Sequence, residues 1–210
     1  DAGRIVGLVG GDHSTPYGLI RALGARHAEF GILHIDAHCD LRDAYEGFEF
    51  SHASIMFNVL RDVPQAVRIA QVGVRDFSEG EAALAASSER IATFDDLSLA
   101  AARFRGETWD EQCRRIVGTL PREVYVSFDI DGLTFENCPH TGTPVSGGLT
   151  FNEAVWLLAV LARSGRRIIG FDVVEVCPAP DQRIDAITGA RILWKLCGLT
   201  LALNTEKAGK

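Results

Sequence analysis

The chain has 210 residues, 47% of them hydrophobic and 23% charged, with 21 glycines. That is the composition of one ordinary globular domain with enough apolar mass for a sizeable core. A formal net charge of −7, with no lysine and arginine cluster interleaved with aromatics, excludes nucleic acid as the main partner, and no apolar run approaches the roughly 20 residues a membrane helix needs.

In chain order, Ile5 to Val9 reads as a buried parallel strand, and Ser14-Thr15-Pro16 opens a helix that runs to about His27. Phe30 to Ile35 is the next strand. It is followed by a long polar and aromatic loop, Leu41 to Ser51, of the kind that carries function. Ala53 to Arg61 is helical, with His52 just before it. Val67 to Val74 is a strand ending at Arg75-Asp76, Ser78 to Ser88 an alanine-rich helix, and Arg90 to Phe94 a short strand. Thr108 to Leu120 is a helix with acids in its first turn, as the helix dipole favours. Glu123 to Phe128 is a strand, Phe151 to Arg163 an amphipathic helix, Arg166 to Val174 a strand ending at Glu175, and Ile184 to about Leu203 a final helix. Strands alternating with helices predict an α/β fold, with a mostly parallel sheet between two helical layers and ligands bound at the carboxyl ends of strands.

The five cysteines, at 39, 113, 138, 177 and 197, are odd in number and form no C-x-x-C pair, so no disulfide framework is indicated and a reducing, cytoplasmic setting is expected. No internal repeat or linker divides the chain, and a single domain over 1–210 is expected. The first residue is Asp1 and a strand pattern follows almost at once, which leaves open an absent N-terminal segment.

The chemistry gathers at three strand ends. In Leu33-His-Ile-Asp-Ala-His-Cys-Asp40, alternation along an extended chain points Asp36, His38 and Asp40 the same way. Asp129 and Asp131 repeat the two-residue spacing after Val124-Tyr-Val126, and His13 follows the first strand and a Gly10-Gly11 turn. Two imidazoles and four carboxylates suit two metal ions: two divalent charges less four carboxylates and one bridging hydroxide leave about one negative charge. Oxygen-rich ligands with some imidazole favour manganese over a thiolate-bound structural zinc. The competing reading is that these aspartates cap turns after buried strands, as aspartate commonly does. His34 is read as lying on the opposite face from Asp36, a core histidine outside the site. Cys39 is read as buried packing, and Cys177 as a neighbour of the pocket without a catalytic role. His27 is read as a helix-end residue, and His140 as either a pocket-entrance or a surface residue.

Five ordered blocks carry a resemblance: Gly-Gly-Asp-His-Ser at 10–14, Asp-Ala-His-Cys-Asp at 36–40, Ser-Phe-Asp-Ile-Asp-Gly-Leu at 127–133, Thr-Gly-Thr-Pro with Gly-Gly-Leu at 141–149, and Asp-Val-Val-Glu-Val at 172–176. They resemble the ureohydrolase family of arginase, agmatinase, guanidinobutyrase and formiminoglutamase. The resemblance implies a three-layer α/β/α, arginase-like fold with two manganese ions. It implies that His13 and Asp40 bind one ion, His38 and Asp131 the other, and that Asp36 and Asp129 bridge them. His52 would match the family's proton-relay histidine, Glu175 the glutamate that holds the guanidinium group, and Thr143 a residue beside the substrate. The partner implied is a small guanidino or formimino compound, and the assembly a homo-oligomer, trimer or hexamer.

Departures from the family pattern bear on the substrate. Thr134-Phe135 stands where Asp-Pro is usual, and Ser78 stands where arginases carry a second aspartate for the substrate's α-amino group. Arginine is therefore disfavoured. Asp43, Glu46 and Glu49 are candidates to receive a cationic tail, as in agmatine, with a solvated loop as the plainer reading; Arg42 would instead pair with a carboxylate tail, as in a guanidino acid or formiminoglutamate. The expected activity is agmatinase-like. Arginase and formiminoglutamase are alternatives within the class, and a catalytically silent homologue or a deacetylase-like metalloenzyme are alternatives outside it.

Overall fold

The computed structural model of the chain describes residues 4–205. Six strands form one sheet in the order β1-β6-β5-β2-β3-β4, where β1 is Val6–Val9, β2 Phe30–Ile35, β3 Ala66–Val72, β4 Ile91–Phe94, β5 Glu123–Asp129 and β6 Arg167–Val174. Every pairing is parallel. From β2 the chain winds outward through β3 to β4, then returns to lay β5 on the other side of β2 and continues to β6. The winding direction therefore reverses between β2 and β5, and that switch point opens a crevice at their carboxyl ends.

The connecting helices cover both faces. α1 (Tyr17–Gly24), α2 (Ile55–Asp62) and α3 (Glu79–Ser87) share one core with Phe30, Ile32, Ile69 and Tyr125. α4 (Asp96–Phe104), α5 (Trp109–Gly118), α6 (Phe151–Arg163) and α7 (Ile184–Thr205) share the other with Leu33, Ile35, Val72 and Val126. The alternation along β2, with Ile32 in one core and Leu33 in the next, is what a strand buried on both faces requires. Helix starts follow sequence: Ser78 with Glu81, Thr108 with Glu111 and Thr150 with Glu153 each close a reciprocal capping box on α3, α5 and α6.

Two expectations change. β1 is an edge strand paired only with β6, and Val6 and Val9 are exposed rather than buried. α4 fills the stretch between Phe94 and Thr108 to which the sequence reading assigned no element: Asp95 caps it by accepting the Ser98 amide hydrogen, and the alanines that follow sustain a helix whose Leu99 is buried. No helix among the described residues is long and apolar enough to cross a membrane.

Candidate metal centre

The predicted ligands meet at the switch point. Asp36 leaves the end of β2, Asp129 ends β5, Asp131 sits in the single turn of 3-10 helix at Ile130–Gly132, and His13 comes from the loop after β1. His13, Asp36, Asp40, Asp129 and Asp131 are all buried. Gly132 lets the β5 turn press against β2, since a Cβ there would stand 2.7 Å from the Asp36 amide nitrogen.

The side chains form two groups with one member in common. His13 Nδ1 lies 2.9 Å from Asp36 Oδ2, 3.0 Å from Asp40 Oδ2 and 3.2 Å from Asp129 Oδ2. His38 Nδ1 lies 3.2 Å from Asp131 Oδ2 and 3.4 Å from Asp36 Oδ1. Asp36 thus turns one oxygen to each imidazole. Asp129 keeps its other oxygen on the Asp131 amide, at 2.9 Å.

The donor set fits metal ions. Although three carboxylates surround His13 Nδ1, neither it nor Asp40 Oδ2 makes a hydrogen bond of acceptable geometry, and both are fully buried. Buried polar atoms without partners are rare, and a cation accounts for atoms that converge without bonding one another. The protonation behaviour agrees. Burial and the charges of Asp131 and Asp36 push the Asp129 carboxyl well up, and burial with Asp36 pushes Asp40 up. Burial opposes charge on His13, yet Asp129, Asp36 and Asp40 hold it well above its ordinary value. Against burial, Asp131 and Asp36 hold His38 up at about 11. These shifts mark an excess of buried negative charge, which ions of higher charge than a proton would neutralise.

Two site residues carry left-handed backbone, Asp40 at φ 53° and Glu175 at φ 59°. Glu175 Oε1 accepts the His13 amide hydrogen at 2.8 Å, its own amide donates to the Gly11 carbonyl, and Oε2 faces Gly142 with no hydrogen bond. Burial raises the Glu175 carboxyl, opposed by His13.

A cavity of about 310 Å³ opens beside this centre, lined by His38, Asp40, Arg42, Tyr45, His52, Asp76, Glu81 and Thr143. His52 stands in a turn before α2 with its ring edge-on to Tyr45, centroids 5.3 Å apart. Thr143 Oγ1 reaches Asp131 Oδ2 at 3.4 Å. Arg42 is engaged: Nε lies 3.5 Å from Glu81 Oε2 and the guanidinium stacks on Tyr45. Asp43, Glu46 and Glu49 do not line this cavity, and Glu49 pairs with Arg61 instead. Asp76 lines it, exposed and with no side-chain partner, which makes it the acid that the reading of the loop missed.

Three further histidines and the cysteines resolve as follows. His34 is buried on the same face as Asp36, not the opposite one, because residues two apart on a strand share a face; its Nε2 lies 2.7 Å from Asp36 Oδ2. His27 pairs with Glu123, and His140 with Asp185 of α7. All five cysteines are free, Cys39 buried and Cys177 exposed.

Sequence reasoning also missed Arg75. Its guanidinium donates to the carbonyls of Gly73, Asp131, Leu133, Val145 and Ser146, and so ties the end of β3 to the loop that carries Thr143. Gly147 and Gly148 admit it: both have positive φ, and a Cβ on Gly148 would stand 2.8 Å from Arg75 and 2.7 Å from the Leu133 carbonyl oxygen.

A three-layer α/β/α fold with a buried histidine and aspartate cluster at its switch point defines a class of α/β protein whose strand ends could hold metal ions. The chain belongs to the arginase family, whose sequence profile matches residues 1–198. It is 32% identical over 198 residues to N(1)-aminopropylagmatine ureohydrolase of Thermus thermophilus, covering 94% of this chain and 63% of that protein. It is 35% identical over 209 residues to agmatinase of Proteus mirabilis, covering 96% of this chain and 61% of that protein. Among solved structures, a hypothetical agmatinase from Burkholderia thailandensis matches with a TM-score of 0.74 at 32% identity, over 97% of this chain and 60% of that one. The chain therefore spans about three-fifths of the length of these relatives.

Proposed function

We propose that this chain carries the catalytic centre of a manganese amidinohydrolase with two ions, which hydrolyses a small guanidino compound to urea and an amine. The observation that carries the reading is Asp36, whose two oxygens face two imidazole groups, His13 with Asp40 and His38 with Asp131. In this reading His13, Asp36, His38, Asp40, Asp129 and Asp131 would hold the ions, with Asp36 the carboxylate that both groups share. When bound, two such ions activate water near neutral pH for attack on a carbon centre.

The remaining steps belong to this chain's side chains. Glu175, with Oε2 uncommitted, receives the planar guanidinium by charge-assisted hydrogen bonds and orients its central carbon. Thr143 flanks the substrate from the loop that Arg75 holds. His52, on the cavity wall, passes a proton between solvent and the leaving amine. Arg42 is paired with Glu81 while Asp76 is free, which supports a substrate with a cationic rather than a carboxylate tail, hence an agmatinase-like activity. The names of the similar proteins, agmatinase and N(1)-aminopropylagmatine ureohydrolase, point to the same kind of substrate. We read residues 1–210 as one domain of a cytoplasmic enzyme, its cysteines kept reduced, that assembles as a trimer or hexamer.

The test is urea release by the manganese-loaded chain from agmatine, arginine, guanidinobutyrate and guanidine, beside formamide release from formiminoglutamate. Urea from agmatine that falls by at least about 10³-fold in Asp129→Asn supports the reading. Equal turnover of agmatine by wild type and variant, or none by a chain holding two manganese ions, overturns it.

A further inference from the structure

Two residues before the ligands Asp36 and Asp129, a row of polar side chains crosses the sheet. Asp172 of β6 pairs with Ser127 of β5, Ser127 with His34 of β2, His34 with Gln71 of β3, and Gln71 with Thr93 of β4. Asp172, Ser127, His34 and Gln71 are fully buried. The interior of a parallel sheet covered on both faces is ordinarily apolar, so a buried polar row there calls for a physical reason.

The hydrogen bonds give one. Gln71 Nε2 donates to the Cys39 carbonyl at 2.7 Å, and its Oε1 accepts from the Thr93 hydroxyl at 3.3 Å. A flipped amide would set Oε1 against the Cys39 carbonyl oxygen, so these two bonds fix its orientation. The amide nitrogen then faces His34 Nδ1, at 3.3 Å, as a donor. Nδ1 must accept, the imidazole hydrogen sits on Nε2, and Nε2 donates to Asp36 Oδ2 at 2.7 Å. The other Asp36 oxygen accepts the His38 amide hydrogen at 2.6 Å. Asp36 is the carboxylate both ligand groups share, and these two donors, one at each end, set the plane of its carboxylate. His34 also packs against the His13 ring, centroids 5.2 Å apart.

We propose that His34 is a positioning residue that holds Asp36 in the plane from which it serves two ions, and that Gln71 fixes the tautomer this requires. The inference rests on the metal-centre reading. Hydrogen-bond partners of ligating groups commonly govern metal affinity by about 10–100-fold.

The experiment is calorimetric titration of the metal-free chain with manganese alone, alongside thermal unfolding of the same metal-free samples. His34→Leu should bind two ions about 10–100-fold more weakly while unfolding within a few degrees of wild type. His34→Gln, whose Nε2 donor reaches a similar point, should recover most of the affinity. Gln71→Leu, which keeps the imidazole but frees its tautomer, should weaken binding by about 10-fold, and it carries the test if His34→Leu does not fold. Wild-type affinity in His34→Leu, or in Gln71→Leu, overturns the positioning role. Loss of one ion in both His34→Leu and His34→Gln would make His34 a ligand and overturn it too. A wild-type chain that takes up no manganese would instead sink the metal-centre reading.

Discussion

Arg75→Ala should destabilise the fold by about 3–5 kcal/mol. The guanidinium makes six hydrogen bonds to five carbonyls, and three of those carbonyls belong to the buried residues Gly73, Asp131 and Leu133. A buried acceptor stripped of its donor costs roughly 1–3 kcal/mol, which bounds the three at about 3–9 kcal/mol. Water entering the vacated space recovers part of that, and the Val145 and Ser146 carbonyls turn to solvent at little cost. For a chain of this size the loss corresponds to a fall in Tm of about 6–20 °C. Urea unfolding followed by circular dichroism measures it, with Arg75→Lys as the comparison, since a lysine keeps the charge but cannot span carbonyls on two segments. The same substitution should weaken manganese binding, because the Asp131 carboxylate follows its own carbonyl. A loss below about 1 kcal/mol in Arg75→Ala would refute the idea that one side chain clamps the loop.

Gly148→Ala should cost about 1–3 kcal/mol more than Gly106→Ala, because both glycines have positive φ but only Gly148 would press a Cβ onto Arg75 and the Leu133 carbonyl; equal losses in urea melts would refute the close-approach argument. Glu123 lies between His27 and Arg167, which, against partial burial, hold its carboxyl below the ordinary range. A depressed carboxylate stabilises the fold above its unfolded value and loses that contribution as pH falls through its folded one. The acid limb of the stability curve should therefore be shallower in Glu123→Gln, and superimposable limbs below pH about 5 would dismiss the pairing.

The ligands were legible because their positions are local facts: an apolar run long enough for a buried strand, then carboxylates and imidazoles at fixed spacing. Asp36, His38, Asp129 and Asp131 all fall within a few residues of a strand end. What sequence concealed depends on chain that returns from far away. Arg75 acquires its role only when residues 145 and 146, 70 and 71 positions on, fold back to it at the end of β3. Asp76 joins the cavity wall together with Thr143, Pro144 and Val145 of the same loop, whereas the acids at 43, 46 and 49, nearer to the ligands in sequence, do not line it. The apolar character of β1 promised burial, and nothing in four residues tells an edge from a centre. α4 was concealed because Asp95-Asp96 reads equally as a turn and as a cap until the alanines behind it find Leu99 a place in the core. His34 was available to the eye, and alternation, counted correctly, sets it beside Asp36.

The left-handed backbone at Asp40 and Glu175 separates what folding favours from what chemistry requires. Glycine would occupy either conformation with less backbone strain, a gain set at Glu175 against the His13 amide hydrogen bond that its carboxylate accepts. It could supply no carboxylate there. Robustness and function thus pull these two positions in opposite directions, and engineering that rewards thermal endurance alone would erode the centre from its backbone outward.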